Sequence, residues 1–230
     1  METAFWKNDD ELFTIVRNEL YTAVVGDIMD KLGLLHQFLS PKIQPLRDDM
    51  FVVGRAMTVL EADVVSNSSS NNQILNRPFG LMLEALDDLK KNEVYVCTGS
   101  SPSYALWGEL MATRAQILGA AGAVVDGYSR DTKGIQELNF PSFSYGRYAQ
   151  DQAPRGKVID FRVPIEMNGV RINPGDIILG DIDGVCVVPK EVEEEVFRLA
   201  IEKARGEKVV QIKIKEGMST VDAFAKFGIM

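Results

Sequence analysis

The sequence predicts an α/β fold with helices outside and mixed strands inside, and three observations carry that prediction. Apolar residues recur at helical spacing near both ends of the chain. Between them lie short runs rich in Val and Ile. Gly, Pro and Asn separate those runs at turn-like intervals. The first 40 residues read as helical. Residues 11–20 place apolar side chains on one helix face, and Thr22 stands where it would cap a second helix over 23–32, which stops at Gly33. Pro41 and Pro45 mark a turn, and 51–60 follow as a strand with an internal glycine. Residues 66–72 are Ser and Asn only, a polar loop. Then come a helix over 78–89, a short strand over 93–97, a helix over 106–118 and a buried strand over 123–126. A loop from Arg130 runs into a short helix ending near 138.

The second half is richer in β signals. Strands over 157–165, 170–172 and 177–180 are separated by Asn168-Gly169 and Asn173-Pro174-Gly175-Asp176. A turn at 181–184 leads into 185–189, and a long amphipathic helix covers 191–215. No segment reads as a linker, so 1–230 is expected to form one domain, with a helical N-terminal segment over 1–40.

The 230 residues are 46% hydrophobic and 25% charged, enough for one sizeable core or two small ones. No repeat recurs at a fixed period. No apolar run approaches the roughly 20 residues that span a bilayer. The polar, acidic N-terminus resembles neither a signal nor a transit peptide. A soluble, cytoplasmic protein is the expectation. The net charge of −8 opposes direct nucleic-acid binding, and the C-terminal lysines alternate with glutamates as on a solvated helix face. Cys97 and Cys186 sit in apolar runs and read as reduced core thiols. His36 is the one histidine, beside Gln37 and Phe38, and reads as structural, so a Ser-His-Asp or Cys-His relay could be built on that residue alone. There is no nucleophile elbow, Walker loop or dinucleotide fingerprint.

Two segments can carry chemistry. In Gly108-Glu109-Leu110-Met111-Ala112-Thr113 a glycine stands at the mouth of a helix. The first N–H groups of a helix lack intrahelical partners and attract a carboxylate or phosphate. In the second segment a buried strand runs through Asp126-Gly127 into Arg130-Asp131. Ligands gather at the carboxyl ends of strands in α/β folds. There Asp131 could hold a hard divalent cation and Arg130 an anionic group. Each segment alone also fits an ordinary loop–helix junction or a surface ion pair.

Together, Gly108–Thr113, the run 119–127 and Ser129-Arg130-Asp131 resemble the RraA-like family, which includes the divalent-metal 4-hydroxy-4-methyl-2-oxoglutarate/4-carboxy-4-hydroxy-2-oxoadipate aldolases. The shared pattern is an acidic residue, then twenty residues, then Arg-Asp. Glu109 and Arg130-Asp131 fit it, with Glu where the aldolases usually have Asp. Segments 54–59 and 174–189 extend the resemblance, which covers about 22–217.

The resemblance implies a layered α/β/β/α fold with a β-rich core and a long C-terminal helix. It implies that Asp131 directly ligates Mg²⁺ or Mn²⁺, with waters completing the shell and Glu109 holding some of them. It assigns the substrate carboxylate to Gly108 and the N–H groups of Leu110, Met111, Ala112 and Thr113, and the keto oxygen to Arg130. A further glutamate from a neighbouring subunit falls on Glu207, with Glu202 as the alternative. That arrangement requires a homotrimer, or trimers paired into hexamers.

Two departures stand out. The Ser/Asn-rich stretch 66–76 is longer than the matching loop. The acidic position expected after Arg-Asp also has no clear equivalent, since Gly134 and Ile135 are not acidic and Glu137 is the first carboxylate afterwards. The expected activity is metal-dependent cleavage of a 4-hydroxy-2-keto acid to pyruvate, with oxaloacetate decarboxylation by the same route. The rivals are a non-catalytic regulator that binds and inhibits a ribonuclease, and a sugar-acid lyase or dehydratase.

Overall fold

The computed structural model describes residues 5–64 and 71–229. Helices α1 (Asp9–Glu19) and α2 (Thr22–Lys31) lead to β1 (Gln44–Pro45) and the long β2 (Val52–Asp63). Then follow α3 (Met82–Asp87), β3 (Glu93–Thr98), β4 (Ala105–Trp107), α4 (Glu109–Ile117), β5 (Gly122–Val125), β6 (Tyr128–Ser129), α5 (Thr132–Glu137) and β7 (Ser142–Ser144). The chain closes with β8 (Gly156–Phe161), β9 (Ile165–Met167), β10 (Val170–Ile172), β11 (Ile177–Asp181), β12 (Gly184–Val188), α6 (Glu193–Lys215) and α7 (Thr220–Phe227).

The main sheet runs β1-β7-β5-β3-β2-β11-β12, and β8 also pairs with β2. β2, β3, β5 and β7 are mutually parallel, and β1, β11, β12 and β8 join antiparallel. β2 is long enough to change partners along its length. Residues 52–55 pair with β11, 55–60 with β3 and 59–63 with β8.

Both faces of this sheet are covered, which is why its strands are near-continuous apolar runs. Ile177 and Leu179 face one core and Ile178 the other; Cys186 and Val188 likewise oppose Val185 and Val187. The first core takes in α3, α4, α5 and the β9–β10 ladder. The second is built on α1, α2 and α6. This is the layered α/β arrangement with a long C-terminal helix that the sequence predicts. Cys97 belongs to the first core and Cys186 to the second; both are buried, free thiols, and burial pushes both pKa values up. Among the described residues no helix is long and apolar enough to cross a membrane.

Several sequence-based boundaries move, each for a physical reason. Thr22 does not cap α2. Tyr21 is the N-cap residue, and Asp181 reaches across from β11 to accept from both the N–H and the hydroxyl of Thr22, at 2.7 and 2.6 Å. The helix expected over 78–89 shortens to Met82–Asp87. Gly80 at φ +61 instead packs against β8, where an added Cβ would lie 2.1 Å from the Val158 carbonyl oxygen. The strand expected over 157–165 breaks at Arg162, in the left-handed region at φ 55, whose guanidinium reaches Asp88 and Glu93. A 3₁₀ turn over Lys190–Val192 precedes the last long helix, and α7 was not foreseen. The Ser/Asn stretch lies partly outside the described residues.

Candidate active site

The helix expected over 106–118 begins only at Glu109, because 105–107 form β4. β4 pairs in parallel with β6, Ala105 opposite Tyr128 and Trp107 opposite Ser129. The pairing continues one residue further, where the Arg130 N–H donates to the Trp107 carbonyl at 2.9 Å. One strand therefore opens into Gly108 and α4 exactly where its neighbour opens into Arg130, Asp131 and α5. This short ladder brings the two motif segments together. Its sequence signal is the aromatic and aliphatic run Tyr104-Ala105-Leu106-Trp107 between Pro102 and Gly108.

Two glycines let the segments interlock. A Cβ on Gly108 would stand 2.9 Å from Asp131 Oδ2. A Cβ on Gly134 would stand 2.1 Å from Glu109 Cδ. The Asp131 carboxylate thus lies over the mouth of α4, while Glu109 lies over the backbone of α5. Asp131 occupies the N-cap position of α5 in a left-handed conformation, φ 53 and ψ 33, and its side chain makes no capping bond. Its nearest charged neighbour is Arg130 Nε at 3.5 Å. Arg130 Nη1 also donates to Asp151 Oδ1 at 2.6 Å. Asp151 had no signal in the sequence; the segment ahead of β8 delivers it from a distance. The neighbouring Gln152 is buried and donates to Glu61 Oε2 at 2.9 Å. Glu61 is 2% exposed, its Oε1 has no hydrogen-bond partner among the described residues, and burial pushes its carboxyl up to about 8.

A cavity of about 450 Å³ opens over this junction. Gly108, Leu110, Met111, Arg130 and Asp131 line it, as does Asp151. Glu109, Ala112 and Thr113 do not. The Ala112 N–H donates to the Gly108 carbonyl at 3.0 Å, and the Thr113 hydroxyl to the Glu109 carbonyl at 2.9 Å. With α4 starting at Glu109, the N–H groups left free by helix geometry are those of Glu109, Leu110 and Met111. Of the N–H groups expected from the sequence to meet an anion, those of Leu110 and Met111 are among these, while that of Ala112 is bonded within the helix.

Glu207 lies elsewhere, in a groove of α6 lined by Tyr21, Gln211 and Ile214. It accepts from the Tyr21 hydroxyl, and burial together with this carboxylate pushes the Tyr21 phenol up to about 12. Glu202 pairs with Arg198 at 3.2 Å, and Glu137 with Lys133 at 3.7 Å. Neither lines the cavity, and His36 is exposed outside it. Asp126, at the end of β5, is engaged by Thr98 at 2.8 Å and by Tyr145.

The donor set suits a hard cation that keeps most of its water. Among the described residues no group of three His, Cys, Asp or Glu side chains could enclose a metal ion. Asp131 and Glu109 are nevertheless oxygen donors, and among the described residues no hydrogen bond claims either carboxylate. Mg²⁺ is commonly held in this sparse way, by one or two carboxylates with water completing the octahedron.

The RraA-like family model, described as Aldolase/RraA, matches residues 22–187. A protein of Halalkalibacterium halodurans, provisionally named a 4-hydroxy-4-methyl-2-oxoglutarate aldolase, is 33% identical over 204 residues, covering 88% of this chain and 89% of its own. An uncharacterized protein from Pseudomonas syringae pv. tomato superposes with a TM-score of 0.82 at 25% identity, covering 99% of both chains. Streptomyces coelicolor RraAS2, described as an unusual member of the RNase ES inhibitor RraA protein family, shares the fold at a TM-score of 0.77 and 21% identity, over 90% of this chain and 100% of its own. By the extent of the family match and of the Halalkalibacterium relative, this chain belongs to the RraA-like family.

Proposed function

We propose that this protein is a divalent-metal-dependent carbon–carbon lyase that cleaves 4-hydroxy-2-keto acids and releases pyruvate. One observation carries the reading. The β4–β6 register gathers a helix mouth with free N–H groups, a guanidinium and an unclaimed carboxylate around one cavity. The name of the Halalkalibacterium relative supports the same chemistry.

In this reading the N–H groups of Glu109, Leu110 and Met111 hold the substrate carboxylate. Asp131 would hold Mg²⁺ or Mn²⁺, and Glu109 would orient a water beside it. When bound, the metal supplies Lewis-acid charge at the keto oxygen. Arg130 adds a second positive charge there, and Asp151 and Asp131 fix its direction. The C4 hydroxyl gives up its proton to a water held by Glu109. The C3–C4 bond then breaks, its electron pair enters the enolate, and return of a proton to C3 completes pyruvate. Loss of CO₂ from oxaloacetate would leave the same enolate. Glu207 can take part only from a neighbouring copy, because in its own chain it lies on α6 outside the cavity. That role needs a second copy of the chain, and the family resemblance implies a homotrimer, alone or paired into a hexamer.

The test is pyruvate release from 4-hydroxy-2-keto acids, read by coupled NADH oxidation, with Mg²⁺ or Mn²⁺ and with chelator. Wild type should turn over only with metal, and Asp131→Ala should not turn over. Absence of metal-dependent release from every such substrate, or from oxaloacetate, would return the chain to the ribonuclease-regulator reading, which needs no such cavity.

A further inference from the structure

We infer that the substrate carries a single anionic end and an apolar far end, so that the preferred 4-hydroxy-2-keto acid bears an alkyl or aryl group at C4 rather than a second carboxylate. This rests on the lyase reading above and names the substrate class within it.

The argument comes from what lines the cavity. Arg130, Asp131, Asp151 and Gln152 supply polar lining. Apolar lining comes from α3 and the turn before it, with Phe79, Met82, Leu83 and Leu86, and from Leu110 on the first turn of α4. Met82 and Leu86 are 7% and 6% exposed, while Leu83 and Leu110 stand open at 53% and 84%, so this lining runs from packed core out to exposed apolar side chains. The charged lining residues are two arginines against three aspartates. Both arginines are engaged. Arg114 Nε donates to Asp87 Oδ1 at 2.7 Å, and Arg130 is held by Asp151 and Asp131. The helix mouth and Arg130 can serve one anionic group. A second carboxylate at the far end would meet methyl and methylene groups, with Asp87 beyond them. Moving a carboxylate from water to such a place without a partner is strongly unfavourable, whereas an alkyl group gains from burial there. Arg77, ahead of α3, is paired with Glu84 and adds no free cation. The cavity volume of about 450 Å³ is in the usual range for a small-molecule site.

The experiment compares kcat/KM for pyruvate release from two 4-hydroxy-2-keto acids of matched length, one ending in a branched alkyl group and one in a carboxylate. Calorimetric binding of the unreactive pair 2-oxo-4-methylpentanoate and 2-oxoglutarate, with Mg²⁺ present, accompanies it. Wild type should favour the alkyl substrate at least about tenfold. Leu83→Arg places a cation on the wall at a half-exposed position that the fold tolerates, and should shift the ratio toward the carboxylate by a similar factor. A wild-type preference for the carboxylate, or a ratio unmoved by Leu83→Arg, overturns the inference. If neither substrate yields pyruvate, the lyase reading fails and the binding pair decides. Tighter 2-oxo-4-methylpentanoate supports the apolar wall, and equal or tighter 2-oxoglutarate overturns it.

Discussion

Asp181 and Asp131 both stand at the start of a helix, and they are used in opposite ways. Asp181, at the end of β11, is 9% exposed. It accepts from the Thr22 N–H at the start of α2, from the Thr22 hydroxyl, and from the Asp183 N–H at 2.9 Å. Asp131 occupies the N-cap position itself, yet it caps nothing and leaves nearly half of its side chain open. The orphan N–H groups of a helix start normally claim such a carboxylate. Asp131 is withheld from them by a left-handed backbone, which costs of order 1 kcal/mol for a non-glycine residue. A carboxylate left uncapped and half-exposed in this way, with the Arg130 guanidinium at 3.5 Å, can still meet a group from outside the protein.

The sharpest way to break that comparison is to change each aspartate in turn. Asp131→Asn keeps a residue that tolerates the left-handed turn. Turnover should fall by about 10²-fold or more, while unfolding free energy stays within about 0.5 kcal/mol of wild type. Asp181→Ala leaves the Thr22 N–H and hydroxyl buried without partners. It should lose about 2–4 kcal/mol of stability, with kcat/KM per folded molecule unchanged. Urea unfolding and steady-state kinetics on both variants read all four quantities. Equal destabilisation by the two changes would show that Asp131 is as structural as Asp181.

Gly134 sharpens the contrast at its edge. It lies inside α5, where alanine is the better helix former by about 1 kcal/mol. Its α-carbon is also where the Glu109 carboxylate rests. Gly134→Ala is therefore expected to hold or raise the melting temperature while lowering turnover about 10- to 100-fold, by displacing Glu109 from the water it orients. A variant that loses stability and keeps full activity would mean that Glu109 has no part in the chemistry.

What the sequence made legible follows the range of the interactions. The helices and strands of both cores were readable because apolar periodicity is local: β2, β3, β5, β11 and β12 all appear where Val and Ile cluster. The candidate residues Glu109, Arg130 and Asp131 were readable through the family resemblance, whose motif is a linear pattern. The cause of their meeting was not, since β4 and β6 are three and two residues long and lie beside a stronger helical signal. Residues supplied by distant segments were equally out of reach. Asp151 arrives from the approach to β8, and the apolar wall from a helix half the expected length. Gly134 looked like a missing carboxylate, whereas its lack of a side chain is what makes room for Glu109.

Glu61 lies between the two aspartates in kind, buried like Asp181 yet only half partnered, and one bond removed from the cavity through Gln152. Burial raises its carboxyl from the ordinary 4.5 to about 8. Above about pH 4.5 the unfolded chain has released this proton while the folded chain keeps it. The folded state therefore binds more protons between those two values, and this residue lowers stability as pH rises through that window. Glu61→Gln keeps a carbonyl oxygen for Gln152 and removes the titration. Its unfolding free energy should change less than that of wild type between pH 5 and pH 8, with turnover at pH 7 staying within a few-fold. Identical slopes would mean that Glu61 is ionised in the folded protein. The Gln152 amide, which lines the cavity, would then be bonded to a buried charge lying behind that lining.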